Sequence, residues 1–337
     1  MFKNWKVWLG FGISIIALYF LLRDVPIREL GASLNQADWI WYLPAVPIWL
    51  ISLVARAIRW SILMEGAPFW VSFHTTNIGY MLNMLLPARL GEVARVYVIS
   101  ERAKIPAAKA LSSIVVERVL DLAVVVLMFV VFAQFLPMPP SLATGARLAG
   151  IAVTAMIIIG AIVVWQAPRF EALLGRLFAR FLPKVDAAPW LIRFRDLCRG
   201  FAVIGTPKRF TQVMLYTVLL WSSALVYAWF TMRAFLPQAQ FDQAGLFLVA
   251  ANLGGAVPSA PGAVGVQEFA GISVLAPFGL DITRVTTYAF FWTFSQRIVL
   301  IILGAVGLLA MGVSLKSLTG SKPKPVVESG TSASAKA

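Results

Sequence analysis

The sequence predicts an all-α polytopic membrane protein with about six full transmembrane helices and two re-entrant broken helices, arranged as an inverted-topology repeat. Three observations carry that expectation. Hydrophobic residues make up 60% of the chain and charged residues 13%, with a mean hydropathy of +0.82, whereas soluble domains use roughly one quarter charged residues. Apolar runs of spanning length, about 20 residues each, recur at 5–22, 39–63, 110–136, 147–167, 211–236 and 284–313. Two further apolar segments are broken by Pro and Gly and repeat one order of polar residues. The first carries Asn83, Pro87, Gly91 and Glu92, and the second Asn252, Pro258, Pro261, Gly262, Gly265 and Glu268. Paired interruptions of this kind in two halves of a membrane protein mark transporter-type binding sites.

The first run follows Lys3 and Lys6 and ends in Leu22-Arg23-Asp24 without a small-x-small cleavage site, so it is an uncleaved span rather than a signal peptide. The second span ends near Arg56 and Arg59, which read as interfacial anchors with apolar stems. The first broken segment covers 66–88, and the third span that follows bears Glu117, Arg118 and Asp121. After the fourth span, residues 168–184 place Phe170, Leu173, Leu174, Leu177 and Phe181 on one helical face, with Arg169, Arg176 and Arg180 elsewhere. That pattern predicts an amphipathic helix on the inner leaflet, drawn to anionic lipid. It belongs to a cytoplasmic linker, 168–210, between repeat halves at 39–136 and 211–313. The second broken segment covers 243–280 between the fifth and sixth spans. The single membrane domain is expected to occupy 1–315, and the Ser/Lys/Pro-rich stretch 316–337 reads as a disordered cytoplasmic tail.

Loop charge orients the chain. Arg89, Arg95, Arg102, Lys104 and Lys109 fall in one connection and nine basic residues in 168–210, whereas 137–146 carries no charge and 237–242 only Asp242. By the positive-inside rule the first two connections are cytoplasmic, as are both termini. The first broken segment then starts and ends inside, and the second starts and ends outside, so each dips in and returns. The blander reading, that both are interfacial loops, fits poorly with their apolar flanks, because irregular backbone at membrane depth is tolerated where protein or a wet cavity surrounds it.

Ionisable side chains within spans are costly and mark function by default. Glu117 and Asp121 are four residues apart and share a helix face. If that helix enters near residue 110, a rise of about 1.5 Å per residue puts Asp121 roughly 16 Å deep. Arg118 neutralises one carboxylate, and Arg297 on the sixth span is placed to meet another across the repeat axis. Two interpretations stay open. A closed ion-pair network of these groups would hold the repeats together. Alternatively Arg89, Arg95, Arg118 and Arg297 bind an anionic group such as phosphate, which a guanidinium matches bidentately. Glu92 and Glu268 would then orient those arginines or take up a proton. Asn83 and Asn252 are equally readable as helix caps and as ligand contacts, while the prolines and glycines break the helices and let backbones approach.

The net charge of +14 reflects loops and not nucleic-acid binding, since no nucleic-acid motif accompanies it. Cys198 is the single cysteine and His74 the single histidine, which excludes a disulfide framework and argues against a structural metal. Nucleotide-binding, nucleophile-elbow and zinc-protease motifs are absent from the sequence. No cofactor and no catalysis are expected.

The run Asn83, Pro87, Arg89, Gly91, Glu92, Arg95, the pattern Glu117-Arg118-x-x-Asp121, and Pro261-Gly262-Ala-Val-Gly265-Val-x-Glu268 together resemble the flippase-like transmembrane family. That family includes the membrane domain of lysylphosphatidylglycerol synthases. The resemblance covers about 5–315 and departs at Ala263, where many relatives have a second Gly. It implies a stand-alone translocator, without the synthase domain, in a prokaryotic inner membrane, moving a lipid with an anionic head group between leaflets by alternating access. A lipid-biosynthetic enzyme is the further partner class it implies, and Gly304-Ala-Val-Gly307 offers a packing motif within the bundle or between identical subunits. The alternative is a membrane enzyme or accessory subunit acting on a polyprenyl-, hopanoid- or phospholipid-linked substrate.

Overall fold

The computed structural model describes residues 5–23, 27–86, 90–135, 166–181, 206–257 and 259–314, with isolated positions between 151 and 192. Most of the expected fourth span, Cys198 and the 316–337 tail lie outside the described residues. All regular structure among the described residues is helical. Helices α1 (Trp5–Leu22) and α2 (Ile27–Asn35) precede a set of four: α3 (Trp39–Leu63), α4 (Phe69–Leu85), α5 (Leu90–Ala103) and α6 (Ala107–Phe132). After α7 (Ala167–Phe181) a second set follows: α8 (Pro207–Phe235), α9 (Phe241–Ala256), α10 (Val266–Leu275) and α11 (Ile282–Met311). Helices α3, α8 and α11 are long and apolar enough to cross a bilayer. With 26 residues, α6 has the length as well, and it turns Glu117 and Asp121 into the protein.

The two sets pack alike. Helix α3 lies along α8; α4 packs on α11 as α9 packs on α6; α5 follows α4 as α10 follows α9; and each short arm meets the long helix after it. A two-fold operation exchanging α3 with α8, α4 with α9, α5 with α10 and α6 with α11 carries these pairings into one another. The ends of the bundle show that the repeats are inverted. At one end Glu65, just beyond α3, is bridged by Lys109 of α6 and Arg209 of α8, and Arg102 of α5 donates to Gly312 O at 2.9 Å. At the other end the Asp38 N–H before α3 donates to Ala234 O at 2.8 Å, and Arg284 of α11 donates to Gln36 at 3.4 Å. The α4–α5 hairpin starts and finishes at the first end, and the α9–α10 hairpin at the second.

The first hairpin is longer than the sequence suggested. Its inward arm is α4 and its return arm is α5, so the dip covers 69–103 and not 66–88. Arg95, read as part of an aqueous connection, is 1% exposed. Helix α5 buries Gly91, Ala94, Arg95, Val98 and Ile99 on one face, and its charged residues Glu92, Arg95, Glu101 and Arg102 lower the average hydropathy below that of a membrane segment.

Packing is tightest where small residues let backbones meet, the usual device when lipid supplies no hydrophobic drive between helices. A methyl group at Gly304 would stand 2.9 Å from Asn77 O, and one at Gly307 would stand 3.1 Å from His74 O. The Gly304/Gly307 pair therefore serves the α4–α11 contact inside the bundle. At the second end Trp39 and Tyr42 meet Phe291 with ring centroids 5.3 and 4.8 Å apart, the aromatic girdle expected at a membrane–water boundary. Leu173 and Leu177 of α7 are exposed, on the face the sequence assigned to lipid.

Candidate functional site

Each hairpin tip is built by side chains that finish a broken helix. In the first, Asn83 Oδ1 accepts the Gly91 N–H at 2.8 Å, closing the turn between α4 and α5. Pro87 and Arg89 lie outside the described residues. Gly91 sits directly on the Gly79 carbonyl and the Asn83 side chain, where any Cβ would collide. Glu92, in the first turn of α5, complements the positive end of that helix.

In the second tip, Gly262 (φ 70°), Ala263 (φ 55°) and Gly265 (φ 86°) all adopt left-handed backbone, so the turn after Pro261 reverses within a few residues. Pro258 lies outside the described residues. Glu268 reaches back to accept the Gly265 N–H at 2.8 Å, satisfying a free donor at the start of α10. Asn252 instead donates to Leu248 O of its own helix at 2.7 Å. The tips adjoin, since a methyl group at Gly262 would stand 3.7 Å from Met84 Cα.

Beside the first tip, three carboxylates and four guanidiniums form one network. Glu117 is fully buried and holds Arg95 at 2.8 Å, with Arg118 at 3.7 Å, Arg59 at 3.8 Å and Arg56 at 4.0 Å. Asp121, one turn along α6, pairs with Arg59 at 2.8 Å and Arg56 at 3.4 Å, and accepts the Trp221 indole N–H from α8 at 3.2 Å. Glu92 closes the ring on Arg118 at 3.3 Å. Arg59 also donates to Thr217 of α8 at 3.2 Å, and the Arg95 guanidinium lies 4.2 Å from the centre of the Trp60 ring. Burying such charges is tolerated only when each is paired. Among the described residues, four cations (Arg56, Arg59, Arg95, Arg118) against three anions (Glu92, Glu117, Asp121) leave a formal surplus of one positive charge. The surplus faces outward: the side chain of Arg118 is 38% exposed and that of Arg56 19%, whereas Arg59 and Arg95 are closed off.

Among the described residues the second half carries a single buried ion pair. Arg297 of α11 meets Glu268 at 3.1 Å and donates to Gly262 O at 2.8 Å and Gln267 Oε1 at 3.2 Å. Its carboxylate partner therefore comes from its own repeat, where the sequence suggested one across the axis. The geometry also corrects the anchor reading of Arg56 and Arg59: Arg59 is 0% exposed and both bind the carboxylates of α6. Charge balance was the available signal, because two carboxylates one turn apart with one neighbouring arginine leave a deficit that another helix must fill. Tyr80, whose ring centre is 5.5 Å from the Arg56 guanidinium, had no such signal. Among the described residues no group of three metal-ligating side chains gathers.

Residues 7–304 match the family described as "Lysylphosphatidylglycerol synthase TM region". UPF0104 membrane protein PH1989 of Pyrococcus horikoshii is 25% identical over 319 residues, covering 85% of this chain and 93% of that protein. Glycosyltransferase AglD of Haloferax volcanii is 26% identical over 339 residues, covering 91% of this chain and 54% of that protein, so the chain spans about half of AglD's length. No solved structure matches.

Proposed function

The chain belongs to the family of the lysylphosphatidylglycerol synthase TM region, and from that premise we propose that it moves a lipid with an anionic, phosphate-bearing head group between membrane leaflets. The observation that carries the reading is the surplus guanidinium, presented by Arg118 and Arg56 at the exposed side of an otherwise closed network. A phosphate there supplies the missing anion and accepts parallel hydrogen bonds from a planar guanidinium. The acyl or prenyl chains stay in the bilayer. The inverted hairpins supply the two-sided architecture that alternating access uses. In this reading the protein resides in a prokaryotic inner membrane with its termini and the Glu65–Lys109–Arg209 end in the cytoplasm. It is a translocator, not a catalyst.

The test is reconstitution into liposomes containing a fluorescent anionic phospholipid or its zwitterionic counterpart, with leaflet exchange read by dithionite quenching. Wild type should exchange the anionic lipid faster, and Arg118→Ala should lose that exchange while keeping its unfolding temperature. Equal exchange by both proteins would remove the site.

A second reading has one observation in its favour, the similarity to half of a glycosyltransferase. In it the domain holds a lipid-linked substrate for a glycosyl-transferring enzyme. A lipid that co-purifies with wild type but does not move between leaflets would favour that role.

A further inference from the structure

Helix α4 carries two polar faces with different fates. Residues 74, 77, 78 and 81 lie against α11, as the approaches of Gly304 and Gly307 show. The opposite face carries Ser72, Thr75, Thr76, Gly79, Tyr80 and Asn83, successive turns of one stripe. Gly79 on this stripe packs against the Arg95 stem, Asn83 closes the tip, and Tyr80 meets Arg56. The stripe therefore leads from the first turn of α4, beside the Glu65–Lys109–Arg209 bridge, to the arginine network. From Ser72 to Tyr80 it spans about 12 Å at 1.5 Å per residue.

Its hydroxyls cluster without partners, whereas Ser100 of α5 and Thr286 of α11 are isolated cases among the described residues. Buried Ser and Thr in membrane helices normally bond the carbonyl four residues back. Thr217, Ser223 and Thr231 of α8 and Thr287 and Thr293 of α11 all do so at 2.7 Å. Ser72, Thr75 and Thr76 do not, and with the Tyr80 hydroxyl they lack any hydrogen-bond partner although Ser72 and Thr75 are 0% and Thr76 3% exposed. An unmade hydrogen bond in a buried site costs about 1–3 kcal/mol, so four on one stripe need a compensating partner in some state. The corresponding helix α9 has no such stripe: it buries Leu246, Phe247, Leu248, Val249 and Ala251, and its Asn252 amide bonds its own backbone.

We propose that the Ser72–Thr75–Thr76–Tyr80 stripe is an aqueous vestibule, opening only at the Glu65–Lys109–Arg209 end, through which an anionic head group reaches Arg56 and Arg118. The hydroxyls hydrogen-bond water or the head group when α4 separates from its neighbours, and the surplus positive charge selects anions. The conformation described is the shut one, with the Glu65 bridge tying α3 and α6 to α8 across the opening. This deepens the translocation reading and rests on it for the role of the arginines. Its test, however, requires no transport.

With Cys198 replaced by Ser, single cysteines at Ser72→Cys and Thr76→Cys are treated in sealed vesicles of either orientation with membrane-impermeant methanethiosulfonates, one anionic and one cationic. Thr231→Cys, whose hydroxyl is bonded within its helix, and Glu101→Cys, exposed at the same end, are the buried and surface controls. Both stripe positions should react from the Glu101 side alone, and the anionic reagent should be faster by about tenfold, the lower range for charge focusing in a cleft. Arg118→Ala should reduce that preference toward parity. Silence at both stripe positions while Glu101→Cys reacts, reaction from both sides, or reaction without anion preference would each overturn the vestibule. Loss of lipid exchange with labelling intact would instead count against translocation alone.

Discussion

The two repeats share a path and differ in what they bury. The first half encloses seven ionised groups around α6 and lines its re-entrant arm with hydroxyls, whereas the second encloses one Glu268–Arg297 pair beside an apolar arm. The helices superpose as a pattern of pairings because small-residue packing and hairpin tips are all the architecture requires. Charges do not follow that symmetry: they collect around α6, most of them closed off from solvent. Symmetry of fold with asymmetry of polarity teaches that helix pairing and charge placement are set independently, the second repeat burying mainly apolar surface where the first buries ions.

The largest effect should come from breaking the first network at its centre. Glu117→Gln leaves Arg95 and Arg59 buried without their shared anion, at a cost of about 3–5 kcal/mol. Glu268→Gln should cost less, about 1–3 kcal/mol, because Glu268 serves one guanidinium where Glu117 serves four. Unfolding in detergent checks the order, and a larger loss for Glu268→Gln would reverse the comparison. At the tips, Gly91→Ala drives a methyl group into the Gly79 carbonyl and should cost about 1–3 kcal/mol as overpacking.

A smaller effect of opposite sign is expected in the second tip. Ala263 holds φ 55°, a conformation costing a non-glycine residue about 1–2 kcal/mol, so Ala263→Gly should raise the unfolding temperature. The smallest effect belongs to the Glu65 bridge. Hydrogen bonds from Lys109 and Arg209 hold the Glu65 carboxyl below its ordinary pKa of 4.5. A lowered carboxylate pKa means the bridge stabilises fully above that ordinary value and is lost as pH falls through the lowered one. All three side chains are about a third exposed or more, so Glu65→Gln should cost under about 1 kcal/mol. Its signature is a stability difference from wild type that disappears on acidification and shrinks with added salt.

Much of this plan was legible in the residues. The broken segments declared themselves through Pro and Gly, and the exposed cation Arg118 through its place between two acids on an apolar run. Other features were not. Arg56 and Arg59 sit near the end of a long span, where sequence position alone favours an interfacial anchor, and a neighbouring helix decided that they turn inward. The return arm α5 escaped notice because Glu92, Arg95, Glu101 and Arg102 give it the polarity of a loop, although one of its faces is buried against α4 and α6. The hydroxyls of α4 looked like ordinary helix residues, since only hydrogen-bond geometry separates a satisfied threonine from an orphaned one.

Composition and periodicity by themselves determined that this chain is a helical membrane protein with paired interruptions, because solvent preference and helix breaking are local properties of residues. Tertiary structure alone decided which arginine meets which carboxylate, that Gly304 and Gly307 join α4 to α11, and that the positive surplus faces outward at Arg118 and Arg56. Those outcomes depend on the rotation of each helix about its axis and on the distance between groups far apart in the chain. No local pattern encodes either.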